Sequence, residues 1–262
     1  MSSLGFVHYT TKGQKYAGSK VMENVRQFYP NAFYMVINDA GEDRTDDCIK
    51  YNAEYYHSQK RMGYPEEPYG YSLENVLEFW ERFYIACFRT NTTHLLYLED
   101  DIRIIKPITF PEDVEVYSLP AGFPDGTPFP NGFPQAFMQH IYDYSGVWPN
   151  VNSYNASGGT IFNVKTFKDN YGHIVQWMKN NFDNVKYYMY QKMGWQDSFG
   201  TYFYLLSGKR YTTNPNFCNV YDPEGTNEFD YYGHYEYPQD YVVSKGIPDN
   251  IEYVHNDKRY YV

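Results

Sequence analysis

Disulfide chemistry has little to work with in this chain. Its 262 residues include three cysteines, Cys48, Cys87 and Cys218, odd in number, far apart and in no metal-ligand spacing. They read as free thiols of a reducing compartment. Basic charge is also scarce: 22 Lys and Arg stand against 32 Asp and Glu, for a net charge of −10 and a pI near 5.1. No Lys/Arg run breaks that balance, which argues against a nucleic-acid partner. No apolar run approaches the roughly 20 residues that cross a bilayer. The N-terminal MSSLGFVHYTTKG lacks the basic start and apolar stretch of a secretion signal. The expectation is a soluble, cytoplasmic protein without a membrane span, in which the sequons at Asn91 and Asn155 are incidental. Neither a repeat nor a clean linker divides the chain, so residues 1–262 are expected to form one domain.

Aromatic residues, by contrast, are abundant: 21% of the chain, with 32 tyrosines. A tyrosine offers a flat apolar face and a hydroxyl, which suits sugars and nucleobases. A compositional bias of the source genome would give the same count.

The patterning alternates. LGFVHY (4–9) reads as a buried strand ending in the polar turn Thr10-Thr11-Lys12-Gly13. Val21, Met22, Val25, Phe28 and Tyr29 then recur at helical spacing, and Pro30 ends the helix. AFYMVI (32–37) is a second strand, broken at Asn38-Asp39-Ala40-Gly41. Residues 42–71 read mostly as loop. Ser72 is a candidate N-cap for a helix with the stripe Leu73, Val76, Leu77, Trp80, Tyr84, Cys87 and Phe88. HLLYL (94–98) is a third strand. Beyond it lie a strand over 114–119, a strand at SGGTIFNV, helices over 166–182 and 195–206, and a late strand at 251–258. Strand–helix–strand alternation of this kind predicts an α/β domain with a mainly parallel sheet between helices. Ligands bind such sheets beyond the carboxyl ends of the strands, where Thr10/Thr11, Asn38/Asp39 and residues 99–101 converge.

The third strand runs directly into Glu99, Asp100 and Asp101. Three adjacent carboxylates at the end of an interior strand repel one another and are costly to desolvate. A hard divalent cation such as Mg²⁺ or Mn²⁺ relieves that repulsion, because it takes oxygen ligands and bridges carboxylates to substrate phosphates. In an extended chain Glu99 and Asp101 share a side and Asp100 points away. Asp101 is therefore the expected metal ligand and Glu99 a group behind it or facing the sugar. A solvated acidic turn is the plainer alternative.

LYLEDDI resembles the D-x-D motif of the GT-A glycosyltransferases, in an E-D-D variant, and other segments follow in that family's order. The resemblance spans nearly the whole chain and includes small members of the kind found in large DNA viruses and microbes. It implies a GT-A fold, with residues 1–105 as the nucleotide-sugar half and 106–262 as the acceptor half. It implies transfer of a sugar from a nucleotide diphosphate donor, a UDP-sugar by family habit, to a glycan acceptor, with Mn²⁺ or Mg²⁺ as cofactor. By the same resemblance Asp101 ligates the metal, and Tyr9, Thr10 and Thr11 cradle the nucleoside. Asn38 and Asp39 hold base or ribose, and Arg82, 17 positions before Glu99, reaches the nucleotide. Glu99 and Asp100 belong to the donor side. Ser157, Gly158 and Gly159 in ASGGTIFN border donor sugar and acceptor. WQDSFGTYFYLL supplies Trp195 and the acceptor-side carboxylate Asp197, expected as general base in an inverting reaction. VHNDK resembles the closing His-x-x-x-Lys region, with His255 as a metal ligand and Lys258 on the diphosphate. It departs from the H-x-x-G-x-x-K-P-W form of some retaining members.

Each role has a structural competitor. Arg82 would serve equally to pair Glu78 or Glu81 on its own helix, and Asp197 to favour a helix N-terminus. Trp195 would serve as core, His255 as a satisfied strand-end histidine and Lys258 as a solvated tail residue. His57, His140, His173 and His234 have no ligand spacing. The Pro/Gly/aromatic segment 120–155 is long enough to be a closing lid. Two other functions fit parts of the pattern: a non-catalytic carbohydrate-binding protein, and a sugar-1-phosphate nucleotidyltransferase. The second is disfavoured because HYTTKGQKY lacks a Gly-rich basic loop.

Overall fold

The computed structural model describes residues 3–11, 15–58, 72–117, 120–121, 142–143, 154–155, 158–188, 210–211, 216–219 and 249–255. In chain order these form β1 (Leu4–Thr11), α1 (Lys15–Phe28), β2 (Tyr34–Asp39), α2 (Thr45–Lys50), β3 (Glu54–Ser58), α3 (Leu73–Arg89) and β4 (His94–Leu98). There follow β5 (Arg103–Ile104), β6 (Val116–Tyr117), β7 (Pro120–Ala121), β8 (Tyr154–Asn155), β9 (Ile161–Asn163), α4 (Val164–Tyr188), β10 (Arg210–Tyr211), β11 (Phe217–Asn219) and β12 (Tyr253–His255).

The main sheet has seven strands in the order β10-β6-β9-β4-β1-β2-β3. β4, β1, β2 and β3 run parallel, and β9 enters antiparallel between β4 and β6. Alternation along the strands buries both faces. Val7, Tyr9, Ile37, Leu95 and Tyr97 pack with Trp80 and Phe83 of α3 and Phe167 and Ile174 of α4. Phe6, Val36, Leu96 and Leu98 pack on the opposite face with Val21, Met22 and Val25 of α1. A second sheet, β11-β12-β5, joins that opposite layer through Phe217, Tyr253 and Ile104. The expected α/β fold with a mixed, mainly parallel sheet is what forms. Among the described residues no helix is long and apolar enough to cross a membrane.

Several expectations need correction. Strand β1 continues through Thr10 and Thr11, and β2 through Asn38 and Asp39, because their parallel pairing persists to those residues. The segment 42–71, expected to be mostly loop, carries α2 at 45–50 and β3 at 54–58, and its residues 59–71 lie outside the described residues. The helix is only six residues long, and β3 is a half-buried edge strand, so neither leaves a full hydrophobic period. Phe88, placed in the buried stripe of α3, is 62% exposed, while Phe79 and Phe83 fill the core. β5 went unforeseen because two residues carry no period. The long segment 120–155 and the helix expected over 195–206 lie outside the described residues, apart from 120–121, 142–143 and 154–155.

Candidate metal and donor site

The parallel strands place Thr10/Thr11, Asn38/Asp39 and His57/Ser58 side by side through the registers Thr10↔Asn38 and Asn38↔His57. β4 adds Glu99, Asp100 and Asp101 at the same end of the sheet, since His8 stands opposite Leu98. The chain turns there, with the Ile102 amide donating to the Glu99 carbonyl at 3.3 Å. It then enters β5, the antiparallel partner of β12 in the register Val254↔Arg103. Continued by one residue, that register sets His255 opposite Ile102, next to Asp101. A two-residue strand thus explains how the last described segment reaches the acidic turn.

The His255 Nε2 lies 3.1 Å from Glu99 Oε2 and 3.2 Å from Asp101 Oδ1. One ligand atom from each of the three residues lies within 4.8 Å of the others. Burial of the His255 ring opposes its charge, but the Asp101 and Glu99 carboxylates outweigh it and hold its pKa at about 10. As an imidazolium, His255 balances the two acids. Two carboxylates and an imidazole are also an oxygen- and nitrogen-donor set suited to Mn²⁺ or Mg²⁺. Glu99, expected behind Asp101 or facing the sugar, stands beside it at the same cluster.

The middle carboxylate does something else. Asp100 turns inward, 8% exposed, and its Oδ1 lies 3.0 Å from Nε2 of the fully buried His8. The other ring nitrogen of His8 meets the Tyr34 hydroxyl at 2.9 Å. Gly18 of α1 passes directly over this layer: a Cβ there would stand 2.8 Å from Asp100 Oδ1 and 3.0 Å from both Thr10 Oγ1 and Arg44 Nη1. The buried Arg44 donates from Nη2 to Thr10 Oγ1 at 2.9 Å.

The glycines expected on the sugar side form a wall of the same site. A Cβ on Gly158 would stand 3.0 Å from Glu99 Cδ and 3.1 Å from His255 Nε2. Gly159 has φ +81°, and a Cβ there would meet the Phe217 ring at 2.6 Å. The Gly159 amide donates to the Tyr97 carbonyl at 3.0 Å, and its own carbonyl accepts from the Tyr253 hydroxyl at 2.9 Å. Only glycine satisfies that φ and that clearance together.

Other expected residues are placed differently. Tyr9 is buried, its ring stacked on Phe79 at 3.9 Å between centroids and its hydroxyl donating to the Phe79 carbonyl. That strand tip therefore does not present the Tyr9 ring. Asn38 braces the loop after β2, donating to the Glu42 carbonyl and Tyr55 hydroxyl and accepting from the Gly41 amide. Asp39 is buried at the end of β2. Arg82 lies over the Tyr56 ring at 3.9 Å and meets Glu78 at 3.4 Å, the helix pairing named as its alternative. The Thr11 side chain and Ser157, Trp195, Asp197 and Lys258 lie outside the described residues. Sequence reasoning passed over His8, Gly18 and Arg44. For His8 a signal existed: it continues the inward face of Leu4 and Phe6, a polar residue where a core side chain belongs.

No protein-family model matches the chain, and no curated protein matches its sequence. Among solved structures, an active-site mutant of LgtC matches at a TM-score of 0.52 and 13% identity, over 96% of this chain and 87% of that one. This chain is similar in fold to LgtC. LgtC, a galactosyltransferase, in complex with donor and acceptor sugar analogues gives a TM-score of 0.50 at 13% identity, with the same coverage of 96% and 87%. A glycosyltransferase involved in glycosylation of the major capsid of PBCV-1 gives 0.45 at 11% identity, over 96% and 92%. The GT-A fold expected from the sequence accords with LgtC, and at this identity the likeness speaks to fold alone.

Proposed function

We propose that this chain is a metal-dependent glycosyltransferase that moves a sugar from a nucleotide diphosphate donor, a UDP-sugar by family habit, to a hydroxyl of a glycan acceptor. The observation that carries the reading is the convergence of Glu99, Asp101 and His255 at the carboxyl end of the parallel strands of a mixed sheet. In this reading Asp101 and His255 hold Mn²⁺ or Mg²⁺, with Glu99 beside them. The bound ion supplies Lewis-acid neutralisation of the charge that builds on the departing diphosphate. His255 gives up its proton to become a ligand. Gly158, which has no Cβ to crowd Glu99 and His255, and Gly159 border the donor sugar. Thr10, Thr11, Asn38 and Asp39 border the nucleoside, Arg82 reaches the nucleotide and Lys258 meets the diphosphate. Asp197 takes the acceptor hydroxyl proton, which gives inversion at the anomeric carbon. Segment 120–155 serves as the lid that keeps water from the donor, and Trp195 contacts the acceptor.

A thermal-shift panel of nucleotides and nucleotide sugars, run with and without Mn²⁺, tests the proposal. A ligand that binds the native state raises Tm by mass action. The expected result is stabilisation by one nucleotide class that is larger with Mn²⁺. Stabilisation by free sugars alone, indifferent to metal, would replace the transferase with a carbohydrate-binding protein.

A further inference from the structure

The three acidic residues of the turn face two ways, and the division depends on a residue 92 positions earlier. Glu99 and Asp101 meet His255, whereas Asp100 is held inward by His8. Resting on the metal reading above, we propose that His8 is the positioning residue of the metal site: through Asp100 it fixes the turn so that Glu99 and Asp101 converge on His255.

His8 is rigidly placed. It belongs to the central strand β1, paired on one side to β2 and on the other to β4, and its ring is fully buried. Both ring nitrogens are engaged. When Nε2–H donates to the Asp100 carboxylate, Nδ1 is left to accept from the Tyr34 hydroxyl, which fixes the tautomer and the ring plane. Tyr34 is itself buried at the start of β2. The chain Tyr34–His8–Asp100 therefore ties the turn to the two innermost parallel strands.

The turn is also closed by its own backbone, the Ile102 amide donating to the Glu99 carbonyl at 3.3 Å. Glu99 and Asp101 are both partly exposed, and their mutual repulsion favours an opened turn when no cation or imidazolium stands between them. An inward anchor on the residue between them opposes that opening. Groups that orient metal ligands from behind change metal affinity by about 10–100-fold when removed.

Gln and Asn separate this role from simple filling of the core. The His8→Gln amide reaches the position of Nε2 and keeps a donor for Asp100. The shorter His8→Asn amide reaches the position of Nδ1, keeps Tyr34 and loses Asp100. Asp100→Ala breaks the same bond from its other end, and serves if His8→Asn does not fold. Two quantities are measured on the full chain: the Mn²⁺ dissociation constant by calorimetry, and amide exchange at Ile102 in metal-free protein. His8→Asn and Asp100→Ala are expected to weaken Mn²⁺ binding about tenfold or more and to speed exchange at Ile102, and His8→Gln to stay within about threefold of wild type. Asp101→Asn, which removes a ligand, is expected to abolish binding. If wild type binds Mn²⁺ and Asp101→Asn does not, while His8→Asn and Asp100→Ala bind like wild type, the positioning role is overturned and the metal site stands. If wild type itself binds no Mn²⁺, the metal reading falls and the positioning role falls with it.

Discussion

Gly158 lies so close to Glu99 that a Cβ on it would stand 3.0 Å from the glutamate's carboxyl carbon. The same Cβ would come within 3.1 Å of His255 Nε2, so one methyl group presses on two of the three candidate ligands. Gly158→Ala is predicted to weaken Mn²⁺ binding more than it weakens the fold, with an overpacking cost of about 1–3 kcal/mol concentrated at the site. Calorimetric Mn²⁺ titration beside a denaturant melt checks this. Unchanged Mn²⁺ affinity would show that Gly158 does not bound the site.

Asn24 of α1 acts as a surrogate strand for β5. Its side-chain amide donates to the Ile104 carbonyl at 2.9 Å and its oxygen accepts from the Ile104 amide at 2.6 Å, all of it buried. Because β5 pairs β12, this clamp also supports the strand that carries His255. Asn24→Leu strands both Ile104 groups, at about 1–3 kcal/mol for each unmet buried partner, so a loss of about 2–6 kcal/mol is predicted. Urea unfolding measures it. A loss under about 0.5 kcal/mol would mean that water or a rearranged β5 replaces the clamp.

The pH dependence should differ in sign with and without metal. In the folded, metal-free protein the His255 pKa is held at about 10, above its ordinary value of 6.5. Its stabilising contribution is therefore complete below about pH 6.5 and is lost as the pH rises toward 10. The Tm advantage of wild type over His255→Gln is predicted to be largest near pH 6 and to shrink by about pH 10. Mn²⁺ must displace the same proton, so its affinity should rise across about pH 6–8. An advantage that grew with pH in metal-free buffer would contradict the assignment of His255 as the counter-ion of Glu99 and Asp101.

Much of this site was legible because it rests on strand tips. The run from HLLYL into Glu99–Asp101 reads as a buried strand with a costly acidic end. Period-two alternation anticipates an Asp100 that faces away from its neighbours, although the segment forms a turn in which His8 holds Asp100 inward. The contact of His255 with that turn was not readable from spacing, since it depends on β5, two residues with no period. Nor was the burial of Tyr9: its ring belongs to the α3 face because Val7 and Tyr9 alternate with Phe6 and His8, and the presence of Phe79 below it is a tertiary fact. Arg44 hid in an acidic stretch, GEDRTDD, whose polarity read as loop although its guanidinium is buried against Thr10.

Asp197 carries the stereochemical part of the proposal. Asp197→Asn is predicted to lower kcat at least about a hundredfold with little change in donor affinity, the scale of a lost general base. Single-turnover kinetics with a bound donor separates the two quantities. A nearly normal kcat would remove the base and move the assignment from inversion to retention.

The most direct test of the account is the Mn²⁺ dependence of nucleotide release from a panel of nucleotide sugars, measured side by side for wild type and Asp101→Asn. Wild type is predicted to release one nucleotide class only with Mn²⁺ and to stop on chelation. Asp101→Asn, with its fold intact by circular dichroism, is predicted to lose that metal-dependent release. Wild-type rates in Asp101→Asn, with Mn²⁺ still required, would contradict the assignment of Asp101 as a metal ligand.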